Sequence, residues 1–135
     1  MSSENSGKSL SETLVKDIMT KAIISVDCKA TVFQVAKMME QGGIGAVLVK
    51  KDGVTSGIIT DRDYAIKVAV DKLSMDTPAE KAASFPLITV SPNDSIKSAA
   101  DLMSSKKIRK LAVVEDSKVI GIITSSDLVT QLAKS

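Results

Sequence analysis

The sequence predicts an α/β (α+β) chain of two tandem β-α-β-β-α repeats, packed sheet to sheet with pseudo-twofold symmetry. Three observations predict it. Sliding the chain along itself by 64 residues lays 23–63 over 87–127 without a gap. Ile24 falls on Ile88, Val26 on Val90, Ala36 on Ala100, Met39 on Met103, Ile44 on Ile108, Val49 on Val113 and Gly57 on Gly121. The heptapeptides "GIITDRD" (57–63) and "GIITSSD" (121–127) occupy matching places in both copies. Finally, hydrophobic periodicity switches between strand and helix spacing in the same order twice.

Each copy opens on a short strand, "IISV" or "LITV". Thr31 and Ser95 follow as helix N-caps, and Gln34 completes a capping box with Thr31. Val32, Val35, Ala36 and Met39 then recur at helical spacing. The first helix stops at Gly42-Gly43 and the second in "SSKKIRK". Gly42, Gly43 and Gly45 do not follow a strand and lack the lysine of a phosphate loop, so they read as a helix stop and tight turn. "AVLV" leads to Asp52-Gly53, a hairpin signal, and "LAVVEDSK" repeats the pattern. The return strands "SGIIT" and "IGIIT" end where helices begin, at Asp61 and Ser125.

A helical lead is expected before each repeat. The first, "SLSETLVKDIM", carries Ser9-x-x-Glu12; the second, "TPAEKAA", carries Thr77-x-x-Glu80 with Pro78 at the first helical position. The expected boundaries are a flexible polar tail over 1–8, a first repeat with its lead over 9–73, and a second over 74–135. Helices on one face of a three-stranded sheet leave the other face apolar. Two such sheets cover each other, and neither half is expected to be stable alone.

Composition closes off much chemistry. The chain has 135 residues, 44% of them hydrophobic and 25% charged, a globular balance. It has no histidine and one cysteine, Cys28, which removes His-based triads, multi-cysteine metal sites and internal disulfides. Cys28 reads as a small, partly buried residue rather than a redox sensor. A net charge of +2 and aromatics limited to Phe33, Tyr64 and Phe85 argue against nucleic acid. No apolar run approaches the ~18–20 residues of a membrane helix. "MSSENSGK" is not a signal peptide, so no membrane association and a cytoplasmic address are expected.

The gapless duplication, the paired G-I-I-T-x-x-D motifs and "VKDIMT" ahead of the first repeat together resemble a tandem pair of cystathionine-β-synthase (CBS) domains, the Bateman module. The resemblance runs from about Leu14 to Leu132. It implies a stand-alone regulatory module that binds adenosine nucleotides (AMP, ADP or ATP) in clefts between repeats. It also implies a homodimer of pairs, an unknown regulated partner, no cofactor or metal, and no catalysis.

On that resemblance, the main cleft takes Thr60, Arg62 and Asp63, with Ser84, Pro86 and Ile88 reading the base. The chemistry of these residues fits. The Thr60 hydroxyl caps a helix, Asp63 can accept both hydroxyls of a ribose, and Arg62 suits phosphate. Arg109 and Lys110 match the family's phosphate-meeting pair, whereas the first repeat has Gly45-Ala46. The second cleft takes Thr124, Ser126 and Asp127 with Thr20, Ala22 and Ile24. Its arginine is replaced by Ser126, so the charged ligand is expected at Asp63.

Plainer accounts compete. Thr-x-x-Asp is also a capping box, and Arg109 and Lys110 sit beside Lys106 and Lys107 in an ordinary solvated charge run. Met38, Met39 and Met103 belong to a core or a dimer interface. The competing functions are a ligand-free structural or interaction module and an S-adenosylmethionine binder. An enzyme using Asp61 and Asp63 as acid and base ranks last, because no nucleophile accompanies them.

Overall fold

A computed structural model of the chain describes residues 11–134. The tail over 1–8 and the Ser9 cap of the first lead lie outside the described residues. The element order is α1 (Val15–Ile18), β1 (Ser25–Asp27), α2 (Val32–Gly42), β2 (Ala46–Lys51), β3 (Val54–Thr60) and α3. α3 starts as α-helix over Asp61–Asp63 and continues as π-helix over Tyr64–Val70. A 3₁₀ turn (Ala79–Lys81) precedes β4 (Thr89–Val90), α4 (Ile96–Lys106), β5 (Lys110–Glu115), β6 (Lys118–Thr124) and α5 (Ser125–Ala133). The fold is mixed α+β with two three-stranded sheets, ordered β1-β2-β3 and β4-β5-β6.

The sheets repeat one pairing pattern, with β1–β2 one residue pair longer than β4–β5. β1 runs parallel to β2 and β4 to β5, while the β2–β3 and β5–β6 hairpins are antiparallel. Register slips at Val49/Lys50 and again at Val113/Val114, the same point of the repeat. Both hairpin turns use left-handed residues: Asp52 and Gly53 in one, Asp116 and Ser117 in the other. Their backbone twist matches that of the flanking strands. Thr31 Oγ1 accepts the Gln34 N–H at 3.1 Å while Gln34 Oε1 accepts the Thr31 N–H at 2.8 Å, the expected capping box. α2 stops at Gly43 (φ 60°), and α4 stops at Lys107 (φ 56°).

The chain divides into two compact units. One is Ile23–Leu87; the other joins the segment up to Ala22 with the segment from Ile88 onward. Each unit therefore holds the body of one repeat and the opening segment that the sequence boundary at 73/74 groups with the other. In the Ile23–Leu87 unit, Ala79, Ala82 and Ala83 are buried with Val26, Val32, Val35, Val47, Val49, Ile59 and Val68. In the other, Val15 is buried with Val90, Ile96, Ala99, Met103, Leu111, Val113 and Ile123.

These opening segments are not the helices that the sequence predicts. One turn survives in each, because their N–H groups bond outward rather than along a helix. The Val15 N–H donates to the Asp94 carbonyl (2.8 Å), Ala79 to Ala30 (2.6 Å) and Glu80 to Cys28 (3.1 Å). Their carbonyls in turn take the orphan N–H groups that begin the long helices. Thr77 accepts from Val32 at 2.8 Å, Met75 from Phe33 at 3.2 Å and Thr13 from Ile96 at 3.0 Å. Each segment ends as a bridge on a sheet edge, Ser84 on Ile58 and Thr20 on Ile122. The outer strand is thereby covered.

Met103 is buried and Met38 and Met39 pack half-buried on the first core, so the methionines belong to cores. The exposed large apolar side chains among the described residues are others: Phe33, Val54, Ile66, Val70, Met75 and Phe85 in one unit, Val129 and Leu132 in the other. Cys28 is a free cysteine, buried in the first core. Among the described residues, no helix is long and apolar enough to cross a membrane.

Candidate functional site

The two Thr-x-x-Asp turns fold alike. β3 delivers Thr60 in extended conformation, and its Oγ1 accepts the Asp63 N–H at 3.1 Å. Asp63 Oδ2 accepts the Thr60 N–H (3.0 Å) and the Thr60 hydroxyl (3.1 Å). In the other unit Thr124 Oγ1 accepts the Asp127 N–H at 3.2 Å, and Asp127 Oδ2 accepts the Thr124 N–H at 2.9 Å. Both carboxylates are half-buried at the first turn of their helices. The capping reading of this motif is therefore correct, and it fixes each carboxylate rather than excluding a further role.

Gly57 and Gly121 open these motifs for a steric reason that sequence reading left unstated. A Cβ on Gly57 would lie 2.5 Å from the Phe85 ring, and one on Gly121 would lie 2.9 Å from both the Thr20 carbonyl oxygen and Met19 Sδ. The motif's glycine is where the opening segment crosses the strand.

That crossing brings Ser84 to Asp63. The Ser84 hydroxyl donates to Asp63 Oδ1 at 2.9 Å, within the same unit. Lys67, one turn along α3, was not singled out by sequence. Its Nζ lies 3.4 Å from Asp63 Oδ1 and donates to Ser84 Oγ (3.3 Å) and the Ala83 carbonyl (3.2 Å). The signal was available, since a Lys four residues after an Asp on one helix face pairs with it. Beside them the Tyr64 hydroxyl donates to the Val32 carbonyl at 3.1 Å, and burial pushes its phenol above the ordinary value.

Arg62 is exposed, and its own N–H donates to Asp61 Oδ1 at 2.9 Å. Pro86 is exposed and follows Phe85 through a cis peptide bond. Ile88, Arg109 and Lys110 belong to the other unit. There the Ile88 carbonyl accepts the Ala112 N–H (3.1 Å), the Arg109 carbonyl accepts the Ser125 N–H (2.9 Å), and Lys110 pairs with Thr124 across β5–β6. Of the second set, Thr20, Ala22 and Ser126 are exposed in the unit of Thr124 and Asp127. Ile24 lies in the Ile23–Leu87 unit, its carbonyl accepting the Leu48 N–H at 2.9 Å.

Comparison with known proteins agrees with this duplicated architecture. The family model of the CBS domain matches twice, over residues 15–69 and 79–134. CBS domain-containing protein YhcV of Bacillus subtilis is 34% identical over 114 residues, covering 84% of this chain and 81% of that protein. An uncharacterized protein of Methanocaldococcus jannaschii is also 34% identical, over 116 residues, and this chain spans 62% of its length. A solved putative signal-transduction protein with CBS domains from Burkholderia ambifaria superposes with a TM-score of 0.85 at 32% identity, covering 91% of this chain and 96% of that one. The chain belongs to the CBS-domain family, as two tandem CBS domains.

Proposed function

We propose that this chain is a regulatory module that binds an adenosine nucleotide (AMP, ADP or ATP) through its Thr-x-x-Asp turns and catalyses nothing itself. One observation carries the reading: a carboxylate is fixed at the same point of both repeats by its own capping threonine. A fixed carboxylate accepts the two hydroxyls of a ribose without first losing its own freedom. Arg62, exposed beside Asp63, supplies a guanidinium for phosphate. Arg109 and Lys110 are proposed as further phosphate contacts on the family resemblance. The exposed apolar side chains of α3 and α5, Ile66, Val70, Val129 and Leu132, support self-association into a homodimer.

Thermal-shift measurements with AMP, ADP, ATP, S-adenosylmethionine and GTP test the reading, because a ligand that binds only the native state raises the melting temperature. Mass spectrometry of small molecules released from the denatured protein identifies any ligand carried through purification. A shift with adenosine nucleotides and none with GTP is expected. No shift with any of them selects the ligand-free interaction module instead. Product formed from ATP would overturn the non-catalytic assignment.

A further inference from the structure

The two carboxylates differ in how many donors already hold them. An ionised carboxylate offers about four lone-pair sites. At Asp63, Oδ2 takes the Thr60 N–H and hydroxyl at 3.0 and 3.1 Å, and Oδ1 takes the Ser84 hydroxyl at 2.9 Å. The Lys67 ammonium lies 3.4 Å from the same Oδ1 and pairs with its charge. Lys67 is itself held, with Ser84 Oγ and the Ala83 carbonyl as its other partners. At Asp127 the Thr124 N–H is the one hydrogen-bond donor among the described residues. The residues at the repeat positions of Lys67 and Ser84 are Gln131 and Thr20, neither of them charged.

We infer that Lys67 and Ser84 make Asp63 the weaker acceptor of a vicinal diol, so that a ribosyl ligand is held first by Asp127. The inference rests on the adenosine-binding reading above. It reverses the order that charge suggests, in which Arg62 draws the ligand to Asp63. A diol arriving at Asp63 displaces the Ser84 hydroxyl or the Lys67 ammonium, exchanging an internal hydrogen bond for an external one with little net gain. A diol arriving at Asp127 displaces water. Lys67 and Ser84 are positioning residues here: they orient Asp63 and tie the 83–84 segment to α3.

Calorimetric titration of the intact protein with adenosine and with 2′-deoxyadenosine tests this, because the ratio of the two affinities reads diol recognition. A ratio of about tenfold or more is expected in the wild type. It persists in Asp63→Asn and falls toward one in Asp127→Asn. If Asp127→Asn fails to fold, Asp127→Glu keeps the charge, moves the carboxylate by one methylene and lowers the ratio in the same way. Ser84→Ala frees a lone pair on Asp63 and adds a second, diol-dependent binding step. A merely structural role for Ser84 would lower the melting temperature without creating that step. A ratio that collapses in Asp63→Asn and survives in Asp127→Asn overturns the inference and leaves adenosine binding intact. Equal wild-type affinities for the two nucleosides also overturn it. Failure of the wild type to bind any adenosine compound overturns the functional reading, and this inference with it.

Discussion

Lys29 Nζ stands 2.6 Å from Glu80 Oε2, joining residues 51 positions apart inside the Ile23–Leu87 unit. Lys51 Nζ adds a second cation to the same carboxylate at 3.5 Å. Glu80 belongs to the 3₁₀ turn of an opening segment, whereas Lys29 and Lys51 belong to the repeat body beneath it. The hydrogen bond to Lys29 holds the Glu80 carboxyl below its ordinary value and the Lys29 ammonium above its own.

The sign of the pH dependence follows. A lowered carboxyl contributes stability above its unfolded value, near 4.5, and that contribution fades as pH falls through the lower folded value. A raised ammonium contributes below its unfolded value, near 10.5, and that contribution fades as pH rises through the higher folded value. Between those limits both are present in full. Melting temperatures of wild type and Glu80→Gln are therefore expected to differ most at neutral pH and to converge in acid. A difference that stays constant down to strongly acidic pH would show that the pair contributes nothing through its charge.

The motif glycines give a second prediction. A Cβ at Gly121 meets the Thr20 carbonyl oxygen, a backbone atom that cannot swing aside. A Cβ at Gly57 meets the ring of Phe85, a side chain rather than backbone and 41% exposed, with Lys51 Nζ 5.6 Å from its centroid. Gly121→Ala is expected to destabilise by about 1–3 kcal/mol, the usual range for overpacking, and Gly57→Ala by less. Phe85→Ala combined with Gly57→Ala should recover most of the Gly57→Ala loss. Urea unfolding of these three variants and of Phe85→Ala alone supplies the numbers, and strict additivity of the Gly57 and Phe85 changes would refute the steric account.

Tyr64 provides a third. Its hydroxyl bonds the Val32 carbonyl and its ring packs on the first core. Tyr64→Phe keeps the packing and removes the bond, so a loss of about 0.5–1.5 kcal/mol is expected. Burial raises the phenol, so in the wild type stability falls as pH climbs past the ordinary tyrosine value of 10.0. The variant lacks that component. Parallel alkaline unfolding curves for the two proteins would mean that Tyr64 does not titrate with folding.

What was legible in the sequence was local and repeated. The Thr31–Gln34 box, the Asp52-Gly53 hairpin, the helix starts at Asp61 and Ser125, and the duplicated carboxylates all depend on residues within a few positions of one another. The opening segments misled because "TPAEKAA" carries good helix signals whose N–H groups are claimed by partners far away in sequence. Ala79 bonds Ala30, and Ser84 bonds Ile58. Periodicity does not report such competition. The Asp63 side chain was legible as an acceptor, but its occupation by Ser84 was not, because that contact exists only once the opening segment has crossed β3 at Gly57.

The last prediction tests that crossing directly. If the 74–87 segment is part of the first repeat's core, its amides open only when that core opens. The Ser84 N–H donates to the Ile58 carbonyl at 2.8 Å and the Ala79 N–H to Ala30 at 2.6 Å, while the methyl groups of Ala79 and Ala82 are fully buried. Native-state hydrogen exchange of the intact chain should therefore place Ala79 and Ser84 in the same protection class as Val47 and Ile59, well above an exposed linker. Ile59→Val removes one core methylene and should cost about 0.5–1.5 kcal/mol. The protection of Ala79 and Ser84 should fall by the same amount, because one opening event exposes all four amides. Rapid exchange at Ala79 and Ser84 with slow exchange at Val47 and Ile59 would detach the segment from that core.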